Sequence, residues 1–328
     1  MVMTDSKNST PTAWLLPGQG SQWIGMGREL CDAFSPASRL LKQAEEVSGL
    51  PLSRICWQGS GDELERTDVL QPAMTAITLG YVALLRNAGH EPDCVAGHSL
   101  GELAALCVAG VLTEEETLYL ATIRGQLMHE AARRHPGGML SVSGLTAVAV
   151  QELVDSLRGR YSPRVANYNA PTQTVLSGEV EALQAVASLA SRQGGRPVML
   201  RVSCPWHSPL MYEARERFLD ALCRVDFRPP RVPLYLNTTG ERESDPERIA
   251  GQVLAQMAEP VLWTRTMSGM MAAGTRTFIE VGPGKVLRGL VRRNFEPASD
   301  FEVYGVEGPS ALAALVHTRE VSTKGAAA

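Results

Sequence analysis

No two cysteines stand at C-x-x-C spacing in this 328-residue chain. None of its 6 Cys (Cys31, Cys56, Cys94, Cys107, Cys204 and Cys223) lies at zinc-ligand spacing from a histidine. This argues against a zinc-ribbon or dithiol redox site and leaves the thiols as small apolar residues of a reducing compartment. An excess of positive charge is also missing. Lys and Arg total 31 against 35 Asp and Glu, a formal net charge of -4, whereas a nucleic-acid binder needs a basic surface for its phosphate contacts. No run approaches the ~18 consecutive apolar residues of a membrane span. Met1 to Thr12 is polar, with no apolar signal core. A cytoplasmic location, no nucleic-acid or membrane partner and a monomer are therefore expected. No internal repeat is present.

What is there is ordinary globular composition: 44% hydrophobic and 20% charged residues, enough for one large core plus a smaller lobe. Ala13-Trp14-Leu15-Leu16 is a short apolar strand that runs into Pro17-Gly18. Helical periodicity runs from about Met26 to Val47, and Gln71 to Leu85 reads as a buried helix. Cys94-Val95-Ala96 is a strand entering Gly97-His98-Ser99-Leu100-Gly101, and Glu102 to Val111 reads as helix. This alternation points to an α/β layer architecture. The middle reads strand (138–143), helix (147–157), two strands (164–177), helix (180–192) and strand (197–203), the β-α-β-β-α-β order of a ferredoxin-like unit. The expected organisation is a large lobe from residues 1–136 and 204–328, interrupted by a small lobe at 137–203. Beyond it, 209–225 reads as helix, 233–237 and 277–281 as strands, and 285–293 as helix. The tail from Ser322 to Ala328 is expected to fray.

The chemistry centres on Gly97-x-Ser99-x-Gly101 between a strand and a helix, a nucleophile elbow. Glycines allow the sharp turn, and the helix N-terminus adds positive potential where an oxyanion would form. The pentapeptide alone is a weak signal that its strand context strengthens. A serine needs a base. His98 is adjacent in sequence and poorly placed to face the hydroxyl, and His90, His129, His135 and His317 have no distinctive setting. His207, in the proline-flanked loop Cys204-Pro205-Trp206-His207-Ser208-Pro209, sits on the kind of rigid loop that carries catalytic residues. Pro17-Gly18-Gln19-Gly20 should lie at the same sheet edge as Ser99, as an oxyanion donor or as a plain glycine turn. Arg124 follows an apolar helix. Spacing alone favours a surface position, while a buried Arg there would suit a carboxylate ligand. Lys285, Arg288 and Arg292 fall on one helix face, either solvated or available to an acidic partner.

Together these residues form a pattern. Pro17-Gly18-Gln19-Gly20-Ser21-Gln22, Gln71-Pro72-Ala73, Gly97-His98-Ser99-Leu100-Gly101-Glu102, Arg124-Gly125, Gly138-Met139, Asn169-Ala170-Pro171, His207-Ser208-Pro209 and Glu280-Val281-Gly282-Pro283-Gly284 resemble the malonyl-CoA:acyl-carrier-protein transacylases and the acyltransferase domains of polyketide synthases. The likeness spans about Trp14 to Arg293. The fold it implies is an α/β-hydrolase-like large subdomain with an inserted ferredoxin-like small subdomain. It implies Ser99 as acylated nucleophile, His207 as base, and Gln19 with the Leu100 N–H as oxyanion hole. It also implies Arg124 on a substrate carboxylate, and Asn169, Met128 and Trp206 at the acyl site. A main-chain carbonyl, expected from Pro260-Val261-Leu262-Trp263, would orient the histidine. The acceptor implied is an acidic acyl carrier protein, with the Lys285/Arg288/Arg292 face as its candidate dock and Arg196 and Arg201 at the cleft margin. No bound cofactor is expected, because phosphopantetheine arrives on the substrate.

Trp206 departs from the family pattern of a small residue or Phe. An indole there either excludes branched acyl groups, favouring malonyl, or walls a reshaped pocket. Three other readings stay open. One is transfer of an aminoacyl or peptidyl group between carrier proteins. Another is a serine esterase or thioesterase with Asp155 as a third triad member. The last is a non-catalytic docking module.

Overall fold

The computed structural model describes residues 10–159, 162–202, 204–296 and 298–308. The expectations for the first nine residues, for His317 and for the tail from Ser322 lie outside the described residues. Two sheets carry the architecture. The larger has six strands in the order β10-β9-β1-β2-β7-β8: β1 Thr12–Leu16, β2 Cys94–Gly97, β7 Leu234–Tyr235, β8 Arg242–Glu243, β9 Thr277–Val281 and β10 Glu302–Val306. All of its pairings are parallel except the short β7–β8 ribbon. The smaller is antiparallel, order β4-β5-β3-β6: β3 Gly138–Ser143, β4 Arg164–Ala170, β5 Gln173–Gly178 and β6 Arg196–Met199. With helices Ala147–Ser156 and Val180–Arg192 between its strands, it has ferredoxin-like strand order.

The central strands β1, β2 and β9 of the large sheet are buried at every position and mostly apolar because both faces are covered. In β1, Trp14 and Leu16 enter the larger core while Ala13 and Leu15 enter the opposite one. Val95 and Ala96 of β2 divide in the same way, as the two-residue period of a strand requires. Helix Thr67–Asn87 is long and apolar enough to cross a membrane by length and composition alone, but 89% of its most apolar window is buried in the protein. Its apolar surface serves the core.

The helix expected from Met26 to Val47 is two helices, Arg28–Ala33 and Ser35–Ser48. Phe34 is extended between them, and Pro36 sits in the first turn of the second, where its missing N–H costs nothing. The segment 209–225 begins as a 3-10 turn and becomes α-helical over Tyr212–Leu222. Arg124 does not follow a helix but sits inside one, Glu114–Arg134, which opens with a capping box from Thr113 and Glu116.

Candidate active site

The elbow is fixed by three glycines that tolerate no side chain. A Cβ on Gly97 would stand 1.9 Å from the Gly101 carbonyl oxygen, one on Gly101 2.1 Å from that of Leu16, and one on Gly18 2.2 Å from that of His98. Strand β2, its exit turn and the loop after β1 are thus in backbone contact. Ser99 adopts φ 51°, a left-handed conformation that costs a non-glycine residue about 1–3 kcal/mol. Helix Gly101–Val108 starts directly behind it. Among the described residues nothing accepts from the Leu100 N–H, so a donor stands free beside the serine at the positive end of that helix.

Ser99 Oγ lies 2.8 Å from His207 Nε2, and His207 Nδ1 lies 2.7 Å from the Gln256 carbonyl oxygen. A carbonyl can only accept, so Nδ1 carries the ring proton and Nε2 is the acceptor facing the hydroxyl. His207 is 4% exposed. Burial first, then the Arg124 charge, push its pKa down to about 3, so the ring is neutral at physiological pH. The orienting carbonyl is therefore that of Gln256 and not one from Pro260–Trp263. That segment instead joins the lobes, with the Val261 carbonyl accepting from Tyr168 N–H at 2.9 Å. Asp155 is no triad member either, since it pairs at 2.9 Å with Arg158 in the turn just past the end of its own helix.

A polar network that the sequence did not reveal holds the elbow. Asn237 Oδ1 accepts from Ser99 N–H at 2.7 Å, and its Nδ2 donates to the Gly97 carbonyl at 2.6 Å. Glu102 Oε2 accepts the Asn237 N–H at 2.6 Å. Burial raises the Glu102 carboxyl to about 8, so it is largely the neutral acid at pH 7. His98 turns away from the hydroxyl, its Nε2 being 2.8 Å from Asn169 Oδ1.

Arg124 is 3% exposed, against the surface position its spacing favoured. Its guanidinium donates to Gln71 Oε1 at 2.8 Å and Gln256 Oε1 at 2.9 Å, two neutral amides. Burial lowers its pKa to about 10, so it remains a cation at pH 7. Two of its five N–H donors are used in these bonds, and it lines a cleft of about 470 Å³ together with Ser99, His207, Gln19, Asn169 and Trp206. Met128 also lines this cleft, its sulfur accepting from Gln71 Nε2 at 3.2 Å. Trp206, 8% exposed, is a shared wall between this cleft and a second cavity of about 640 Å³.

The basic helix face is less free than the sequence suggested. Arg288 is tied to Glu280, at 3.3 Å, and to Glu307, at 3.1 Å. The buried Glu280 carboxylate also accepts the Leu287 and Arg288 N–H groups, capping helix Val286–Asn294. Lys285 precedes that helix and, like Arg292, is exposed.

A strained serine on a strand–turn–helix, a neutral histidine on its hydroxyl and a free N–H beside it define a protein of the serine acyl-transfer class. Residues 13–313 match the acyl transferase domain, and the chain belongs to that family as an acyltransferase enzyme. It is 36% identical over 283 residues to the malonyl CoA-acyl carrier protein transacylase of Bacillus subtilis, covering 86% of this chain and 89% of that one. Its fold matches the crystal structure of the Clostridium perfringens malonyl CoA-acyl carrier protein transacylase with a TM-score of 0.89 at 30% identity, over 96% of this chain and 99% of that one. A malonyl-transacylase solved in complex with a type II PKS acyl-carrier protein matches with a TM-score of 0.88 at 31% identity, over 93% and 98%.

Proposed function

We propose that this enzyme transfers a malonyl group from coenzyme A to the phosphopantetheine thiol of an acyl carrier protein through an ester on Ser99. The observation that carries the choice of malonyl is Arg124, a buried cation at the cleft whose direct partners are neutral amides. A buried charge calls for a counter-ion, and the free carboxylate of a malonyl thioester supplies one with the two-oxygen geometry a guanidinium fits. An aminoacyl or peptidyl group brings one only where an acidic side chain carries it.

In the first half-reaction His207 Nε2 takes the Ser99 proton as Oγ attacks the thioester carbonyl. The oxyanion is held by the Leu100 N–H, with Gln19 beside it. The C–S bond then breaks, and the thiolate leaves with the proton from His207. In the second half-reaction His207 accepts the proton of the carrier thiol, whose sulfur attacks the ester, and returns it to Ser99 Oγ. The prosthetic arm belongs to the substrate, so the enzyme itself needs no bound cofactor. The acidic carrier would meet the exposed Lys285 and Arg292, while Arg288 mainly holds its own helix. The relatives' names and the carrier-protein complex support this reading, in fatty-acid or polyketide synthesis.

The test is intact-mass measurement after incubation with malonyl-CoA or acetyl-CoA. The wild type gains a malonyl adduct, and Ser99→Ala gains none. Arg124→Met loses two or more charge-assisted hydrogen bonds to the carboxylate, so malonyl loading should slow by about 10²- to 10³-fold. Acetyl loading should hold or rise. A wild type that loads acetyl faster than malonyl would overturn the assignment.

A further inference from the structure

One buried residue touches all three working parts of the site, two through its side chain and one through its main chain. Gln256 is 3% exposed and follows helix Pro246–Ala255. Its Oε1 accepts from Arg124 at 2.9 Å. Its Nε2 donates to the Ser99 carbonyl at 2.8 Å and lies 3.3 Å from Glu102 Oε1. Its own carbonyl accepts from the His207 ring at 2.7 Å. We propose that the Gln256 carboxamide is a positioning residue that couples the reading of the substrate's carboxylate at Arg124 to the geometry of the Ser99–His207 pair. This rests on the malonyl reading and deepens it.

The donors and acceptors around Gln256 are connected through one group. The amide group is planar and rigid, so its oxygen and nitrogen move together. A carboxylate that draws the Arg124 guanidinium toward the cleft pulls on Oε1 and, through the same plane, on the hydrogen bond to the Ser99 carbonyl. Ser99 sits in a left-handed conformation, so its backbone needs outside contacts to keep Oγ aimed at His207. The main-chain carbonyl that holds His207 belongs to the same residue. A donor with a carboxylate therefore tightens the nucleophile and base, and a donor without one leaves them in their resting arrangement. Selectivity should then appear in kcat as well as in KM.

The test is a double-mutant cycle on loading kinetics. Gln256→Met keeps the side-chain length and the main-chain carbonyl while removing both amide contacts. It is combined with Arg124→Met, and all four proteins are assayed with malonyl-CoA and acetyl-CoA. Malonyl kcat should fall about 10- to 100-fold in Gln256→Met, the loss expected of removed buried hydrogen-bond partners, and acetyl kcat several-fold less. In the Arg124→Met background the malonyl loss from Gln256→Met should largely vanish, because coupled residues do not add. Equal losses on both donors, or losses that simply multiply in the double variant, would reduce Gln256 to a structural residue and overturn the coupling. A wild type that fails to load malonyl would sink the malonyl reading itself, a separate result read from the control alone. Gln256→Glu, isosteric but giving Arg124 a built-in counter-ion and no donor to the Ser99 carbonyl, should lower the malonyl-over-acetyl preference further, and an unchanged preference would count against the coupling.

Discussion

Asn237 offers a sharp test of how the elbow is held. Replacing it with Ala removes the acceptor of Ser99 N–H and the donor to the Gly97 carbonyl, while its backbone bond to Glu102 stays. Gly97 is buried and Ser99 partly so. Leaving two such groups without partners costs about 1–3 kcal/mol each, so a loss of about 2–6 kcal/mol is expected from a total stability on the order of 5–15 kcal/mol. Part of that loss is returned if the strained Ser99 relaxes toward an ordinary conformation, worth about 1–3 kcal/mol. Relaxation would move Oγ off its 2.8 Å contact with His207. A misplacement of about 1 Å can slow acylation by about 10²-fold. The assays are thermal melting and the rate of acyl-enzyme formation under saturating donor. Asn237→Asp separates the two effects, since it keeps the acceptor for Ser99 N–H and places a second carboxyl beside Glu102, while the donor to Gly97 is lost when that carboxyl is ionised and replaced by its O–H when it is protonated. Loading in Asn237→Asp should exceed that in Asn237→Ala at pH values where the new carboxyl is protonated. An Asn237→Ala protein with wild-type melting and wild-type loading would refute the clamp.

Two more predictions concern the base and the acyl pocket. Because the folded pKa of His207 lies near 3 and not at the usual 6.5, the acylation rate should show no inflection near pH 6.5, and its acid limb should lie well below pH 5. Removing the Arg124 charge should move that limb upward, and a rate that halves near 6.5 in the wild type would contradict the buried, neutral ring. The same depressed pKa gives a stability contribution that is present above about pH 6.5 and lost as the pH falls toward 3, which melting against pH will show. At the shared wall of the two cavities, Trp206→Ser should open the cleft toward the neighbouring space. It should raise methylmalonyl over malonyl loading by about 10-fold or more, the size of effect one methyl group has in a fitted pocket. A competition assay with both donors reads this ratio directly, and an unchanged ratio would place the indole outside the acyl site.

The legible parts of this protein were those with a local cause. Strand β1 shows as an apolar run because both of its faces are covered, and β3, β9 and the helix Val180–Arg192 have the bounds that their periodicity marked. The elbow was legible because its glycines are required by clashes within a few residues or with the adjoining strand, and the Cys-Pro-Trp-His loop because prolines mark rigid turns. Proline explains the one helix that sequence periodicity joined and the structure divides, at Phe34.

What the tertiary structure decided has no local cause. Asn237 meets Ser99 across 138 positions, and Gln256 meets Arg124 across 132. A polar amide in isolation reads as surface, and only the fold shows that its partners are buried with it. Glu102 and Gln71 stood inside recognisable motifs, yet their task of partnering Asn237 and Arg124 was invisible until the helices carrying them were packed. The burial of Arg124 and the tethering of Arg288 by Glu280 and Glu307 reversed what spacing suggested, because exposure is set by what packs against a helix face from elsewhere in the chain. The carbonyl that fixes His207 came from Gln256, four residues before the expected segment. Every residue offers the same carbonyl, so only its place in the fold could single one out.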